Sequence, residues 1–184
     1  MGPVKTRNFL ILIHLYLAAF LAPTFLLVAI TGALDHADIK PETTQIPISL
    51  PPEVDLNPKD PDLEATLRRL FAATDLDVDF EYVRARPDRI TTVPTTRPFV
   101  RFLNTDTGWE GTLNVPSLHY ALMELHKGHG PAWFNIYQLI AGVALFLVIL
   151  GGLIVGLMAK AYRRKTVTAS LIGSGIFVSL AFLV

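Results

Sequence analysis

The sequence predicts a membrane α-helical protein with three transmembrane helices and a small α+β module outside the membrane, between helices one and two. Two observations carry this reading. Residues 9–34, 132–158 and 166–184 are runs of 26, 27 and 19 residues without a formal charge, in a chain of 184 residues that is 51% hydrophobic and 17% charged. The remaining charges are sorted by sign. Six basic residues and no acidic ones (Lys5, Arg7, Lys160, Arg163, Arg164, Lys165) flank the runs, whereas residues 35–130 hold ten basic and all sixteen acidic residues, a formal charge of −6. Short basic flanks stay cytoplasmic, because Lys and Arg near a span resist translocation. The predicted topology is therefore N-terminus inside, one large outside segment, a basic inside turn and the C-terminus outside.

The elements follow in order. Residues 1–8 form a cytoplasmic N-terminus and 9–34 the first span. At 1.5 Å per residue this span is roughly 40 Å long, more than the ~30 Å hydrocarbon core, so it tilts, kinks or projects. Pro23 marks a site for a kink. The uncharged run exceeds the h-region of a signal peptide, and no clean small-x-small cleavage site follows, so the span reads as an uncleaved anchor. Residues 35–59, with Pro41, Pro47, Pro51, Pro52 and Pro58, read as an extended tether.

Residues 60–116 form the α+β module. Asp60-Pro61-Asp62-Leu63-Glu64 has a cap, a first-turn proline and acidic residues at the positive end of a helix dipole. Leu63, Leu67, Leu70 and Phe71 make one apolar stripe. About three strands follow, around 78–84, 99–103 and 109–115, the last two joined by the turn at 104–108. At ~55 residues the core is small for independent folding. Arg84, Arg86, Arg89, Arg97 and Arg101 alternate with apolar positions and read as a solvated strand face in preference to an anion site. Residues 117–131 form an amphipathic segment leading back to the bilayer. Residues 132–158 are the second span, with Trp133 and Tyr137 in an interfacial aromatic belt. Residues 159–166 are the basic turn and 167–184 the third span, just long enough to cross. Ala18/Ala22, Gly152/Gly156 and Ala169/Gly173 follow small-xxx-small spacing, which permits close helix approach within the chain or with a partner.

Several chemistries are excluded. With no cysteine there is no disulfide scaffold, thiolate metal site, thioether-linked haem or cysteine nucleophile. A net charge of zero leaves no excess positive charge for phosphates, so nucleic acid is not an expected partner. The five histidines are the remaining candidates. His14 and His36 are 22 residues apart, about 33 Å in a helix, and cannot share a haem iron. His36 closes span one on the side where His126 and His129 introduce span two, so His36 with His126 is the expected haem pair and His129 the substitute ligand. His119 reaches only if its helix folds inward. His14 has no obvious histidine partner, with Met158 as a weaker one; the bland reading is a hydrogen bond to a neighbouring helix. His119, His126 and His129, with Glu124 nearby, are the candidate Zn²⁺ or Cu²⁺ set, although no His-Glu-x-x-His spacing supports a peptidase.

His14-x-Tyr16, the aliphatic run closing on Thr31-Gly32, and Leu125-His126 before span two resemble the PepSY-associated transmembrane helix family of bacterial inner-membrane proteins. The helix-plus-strands segment is similar to a single PepSY-type module, and the resemblance covers nearly the whole chain. It implies a bacterial inner-membrane location. Larger four-span relatives carry b-type haem on membrane histidines and reduce ferric siderophores. This chain departs from them in having three spans, one module and no histidine in span three. The expectation is an accessory membrane subunit, without an independent catalytic site, in a redox or metal-related complex or homo-oligomer, with capacity for haem b. The alternative is a haem-b electron-transfer or ferric-reductase-like subunit acting on extracytoplasmic iron or another metal.

Overall fold

The computed structural model describes residues 3–51, 54–74 and 76–183; Pro52 of the expected tether and Val184 at the end of the third span lie outside them. Among the described residues, three helices are long and apolar enough to cross a membrane, with a small antiparallel sheet between the first two in sequence. They are α1 (Pro3–His36), α4 (Ala132–Met158) and α5 (Arg163–Phe182). Helix α1 continues unbroken through Pro23. The chain divides into two units, residues 1–24 with 139–184, and residues 25–138.

In the first unit, the N-terminal part of α1 lies against α4, and the small residues of α4 make the contacts possible. A side chain added at Gly152 would meet the His14 ring 3.0 Å away. One added at Gly156 would meet Thr166 Oγ1 of α5 at 2.7 Å. The Gly152/Gly156 stripe thus serves packing within the chain. Gly156→Leu is expected to push Thr166 away from α4. In this cysteine-free background, Thr166→Cys should then react with N-ethylmaleimide several-fold faster when Gly156→Leu is added; an unchanged rate would contradict the contact. The Ala169/Gly173 stripe of α5 is different, because nothing lies within 4 Å of a Cβ at Gly173 and α5 buries no residue.

The second unit contains the sheet: β1 (Thr43–Ile48), β2 (Tyr82–Arg86), β3 (Arg89–Val93), β4 (Phe99–Thr105) and β5 (Gly108–Pro116), in the antiparallel order β1-β5-β4-β3-β2. Helix α2 (Leu63–Ala73) buries Leu63, Leu67, Leu70 and Phe71, the expected stripe, against Ile90, Val100 and Phe102 on one sheet face. Phe71 meets Phe80 edge-on at 5.7 Å and stacks on Phe102 at 6.3 Å. Gly111 is required by this packing, since a Cβ there would stand 3.2 Å from the Phe102 ring. Asp60 accepts a hydrogen bond from the Asp62 amide at 2.9 Å, which places its cap one turn before the regular helix begins.

Two expectations are corrected. The tether is not uniformly extended: Thr43–Ile48 pairs with β5 as an edge strand, where Pro47 costs no interior ladder bond. Residues 60–116 hold four strands, not three, because β2 and β3 form a hairpin around Pro87-Asp88, with Arg86 opposite Arg89, and β1 makes the fifth strand of the sheet.

The other sheet face meets α3 (Leu118–His126), which forms most of the expected amphipathic segment. Ser117 caps it by accepting from the Tyr120 amide at 3.1 Å. Tyr120 stacks on Phe99 at 6.0 Å, and Met123 is buried beneath the helix. The sheet is therefore covered by α2 on one face and partly by α3 on the other.

Candidate functional site

The residues joining α3, the sheet and the start of α4 form a connected set of polar contacts. Glu124 sits on the buried side of α3, 7% exposed. One of its oxygens accepts from Thr95 Oγ1 at 2.6 Å and from His129 Nδ1 at 2.7 Å. The Lys127 ammonium stands 3.8 Å from the other oxygen. Thr95, 4% exposed, also donates its backbone N–H to the His129 carbonyl at 3.1 Å. The turn 127–131 is thereby tied to the sheet at two points. Gly128 takes φ +74° there, a left-handed conformation that favours glycine. Glu81 completes the arrangement by accepting the Ala132 amide at 2.8 Å, which caps the N-terminus of α4 with a carboxylate.

His126 faces the C-terminal part of α1. Its Nδ1 lies 2.7 Å from Thr31 Oγ1, and Thr31 is 1% exposed. The Thr31 hydroxyl has one proton, and it donates to the Leu27 carbonyl at 2.6 Å. With that proton so placed, the Thr31 oxygen accepts from His126 Nδ1–H, and Nε2 is left outside this hydrogen bond. The imidazole lies beside Gly32, at ordinary contact distance (4.0 Å) from where a Cβ would stand. Gln138 Nε2 donates to the His126 carbonyl at 2.8 Å and fixes the end of α3. Thr31→Val keeps the side-chain shape but removes the acceptor. The expected outcome is loss of the single tautomer, read as an averaged pair of imidazole ¹⁵N shifts for His126; shifts identical to those of the parent protein would contradict the assignment.

His14 lies in the other unit. Its Nδ1 is 2.9 Å from the Val148 carbonyl, and a carbonyl only accepts, so Nδ1 carries the proton and Nε2 is again the free nitrogen. The helix-to-helix hydrogen bond weighed for His14 is the contact present.

Of the expected pair, His126 makes its hydrogen bond to Thr31. His36 ends α1 in an exposed position and sits about 140° around the helix from Thr31. His119 and His126 are about 10 Å apart along α3. His129 is committed through Nδ1 to Glu124, and His119 Nε2 is buried without a hydrogen-bond partner among the described residues. Among those residues no three His, Cys, Asp or Glu side chains form a group that could hold a metal ion, so the expected set His119, His126 and His129 is not assembled. Sequence reasoning missed Thr31, Thr95 and Glu81 as partners. Thr31 alone left a signal, as the hydroxyl inside an apolar span next to a glycine. Comparison with family models, curated proteins and solved structures gives no match.

Proposed function

We propose that this protein is an accessory integral-membrane subunit of a larger bacterial inner-membrane complex with a redox or metal-related role. One observation carries the reading. Helix α5 is the least apolar of the three candidate spans and buries none of its window, yet it carries Thr168, Ser170, Gly173, Ser174, Gly175 and Ser179. Small and hydroxyl residues promote close helix contact in a bilayer, where a purely lipid-facing helix gains nothing from them. Gly152 and Gly156 of α4 already receive His14 and Thr166, whereas Gly173 and Gly175 of α5, like Gly142 of α4, have nothing within 4 Å among the described residues. A transmembrane helix of another chain is the occupant that suits this stripe. The helix α2 followed by antiparallel strands, and the placement of Thr31-Gly32 and His126, support a PepSY-like module in a PepSY-associated membrane protein. The six basic flanking residues support an N-terminus inside and the module outside.

A photo-crosslinking residue at Ser174 tests this in native membranes. The expected result is an adduct with a second, different membrane protein, absent when the same group is placed at Val143, an outward-facing position of α4. Adducts with lipid alone would overturn the reading, and an adduct with a second copy of this chain would replace it with a homo-oligomer.

The second reading, a haem-b electron-transfer subunit, is favoured by the free Nε2 of His126. Fixing a histidine through Nδ1–H to a protein oxygen is how ligating imidazoles are oriented. His126 would hold such a haem through Nε2, together with a further ligand from outside its immediate contacts. When bound, haem would supply one-electron transfer. A reduced-minus-oxidised spectrum of the purified protein would show b-type bands that disappear in His126→Ala; a colourless, folded preparation would sink this reading.

A further inference from the structure

We propose that the sheet face beside α3 is a binding site for a phosphate group. The strand register brings its parts together. Arg84, Thr91 and Arg101 stand opposite one another across β2, β3 and β4, and Arg86 stands opposite Arg89 in the next row. Directly opposed residues have Cβ atoms only about 5 Å apart, where like charges repel. Together with Tyr120 of α3 these residues line a cleft of about 200 Å³, closed at one end by Glu124 and His129.

The balance of charge in this cleft is unusual for the module. Residues 35–130 carry a formal charge of −6, yet four arginines line one cleft with few carboxylates to meet them. Glu124 is engaged by Thr95 and His129. Asp88 reaches Arg89 at 3.6 Å, in an exposed turn where such a pair contributes little. The partner of Arg84 is the Tyr82 hydroxyl, at a long 3.5 Å. The arginines outside the cleft differ. Arg97 pairs with Asp79 at 3.0 Å, and Arg68 donates to the Phe80 carbonyl and covers its ring.

Arg86 is exposed and the Arg89 side chain is 42% exposed, as on a solvated face, yet the Nε atoms of Arg89 and Arg101 are buried and have no acceptor among the described residues. Arg101 is held over the Phe99 ring at 5.5 Å. Burial foremost, and then the Glu124 carboxylate, push the Tyr120 phenol up from its ordinary value, while Arg101 acts in the opposite direction. The phenol oxygen accepts a hydrogen bond from Arg101, which leaves its own O–H as a donor toward the cleft. Several guanidinium forks, the Thr91 hydroxyl and a phenol make a donor-rich, acceptor-poor pocket. Phosphate, with several acceptor oxygens and charge to spread among planar forks, fits this set better than a single carboxylate. The cleft is below the ~300 Å³ of pockets that enclose drug-sized molecules, so it suits the phosphate and not the bulk of what carries it.

The source of the phosphate is either a soluble ion or ester, or a lipid headgroup, and one experiment separates them. Purified full-length protein in dodecyl maltoside, a phosphate-free detergent, is titrated by calorimetry with inorganic phosphate and, separately, with dioctanoyl phosphatidic acid. Binding of both, or of phosphate alone, supports a soluble source; binding of the lipid alone supports a headgroup. In either case Arg84→Gln, on the edge strand where the fold tolerates it, and Arg101→Gln should each weaken binding about tenfold or more, and Arg97→Gln should leave it unchanged. If Arg101→Gln fails to fold, Arg84→Gln decides alone. Binding of neither probe, or equal binding by Arg84→Gln and the parent protein, overturns the proposal.

Discussion

Phe102→Ala is expected to unfold the α+β module while leaving the membrane helices helical. The ring is fully buried, stacks on Phe71 at 6.3 Å and fills the space that Gly111 leaves open. Removing it deletes the Phe71–Phe102 contact and leaves a cavity between α2 and the middle of the sheet. Neighbours that are themselves fully buried, Leu67, Ile90 and Val100, have little room to collapse into the cavity. Phe→Ala changes at such sites cost about 3–5 kcal/mol, comparable to the whole stability of a core this small. Hydrogen exchange in detergent provides the measurement. Amides of β3, β4 and α2 should lose protection together, with those of α4 unaffected. Retention of protection in α2 would show that the module is held by something other than this core.

Glu124→Ala has the next largest expected effect, and its action is more local. The substitution strands the buried Thr95 hydroxyl and removes the acceptor of His129 Nδ1. Loss of a buried carboxylate with two close partners costs about 3 kcal/mol. Within residues 124–131 the hydrogen bond left to the sheet would be that of the Thr95 amide, at 3.1 Å from the His129 carbonyl. Proteolytic cleavage in the 127–131 turn should become several-fold faster, while the hydrogen-exchange protection of α2 stays as in the parent protein. Glu124→Gln, which retains an acceptor oxygen, should lie between the two. Equal resistance of Glu124→Ala and the parent would remove Glu124 from its place in the linkage.

These two sites also show what could be read from the sequence. The stripe Leu63, Leu67, Leu70 and Phe71 has helical periodicity, and the structure buries all four. The three apolar runs reappear as the three long helices because length and absence of charge are local properties. Strand β1 escaped because an edge strand has no consistent inward face: Thr44 to Pro47 are all exposed, and Pro47 reads as a breaker. The β2–β3 hairpin left a legible sign in Pro87-Asp88, which lies just beyond the strand expected over 78–84.

The histidines show a different limit. Sequence position gives the height of a residue along a helix but not which neighbour its face meets. His36 and His126 share the end of their helices, yet the α1 residue in contact with His126 is Thr31, about one turn deeper and on another face. The arginines show the same limit across strands. Alternation marked their common face correctly, and only the register revealed that Arg84, Thr91 and Arg101 lie in one row beneath Tyr120.

The proposed role requires the sheet to face the outside of the cell and the α4–α5 turn to face the cytoplasm. Single-cysteine labelling measures this directly, because the chain contains no cysteine of its own. Thr107→Cys lies in the exposed β4–β5 turn, and Lys160→Cys in the basic turn between α4 and α5. In intact cells a membrane-impermeant maleimide should label Thr107→Cys fully and leave Lys160→Cys unmodified until the membrane is permeabilised. Labelling of Lys160→Cys from outside, with Thr107→Cys protected, would reverse the orientation and contradict the proposed extracytoplasmic role of the module.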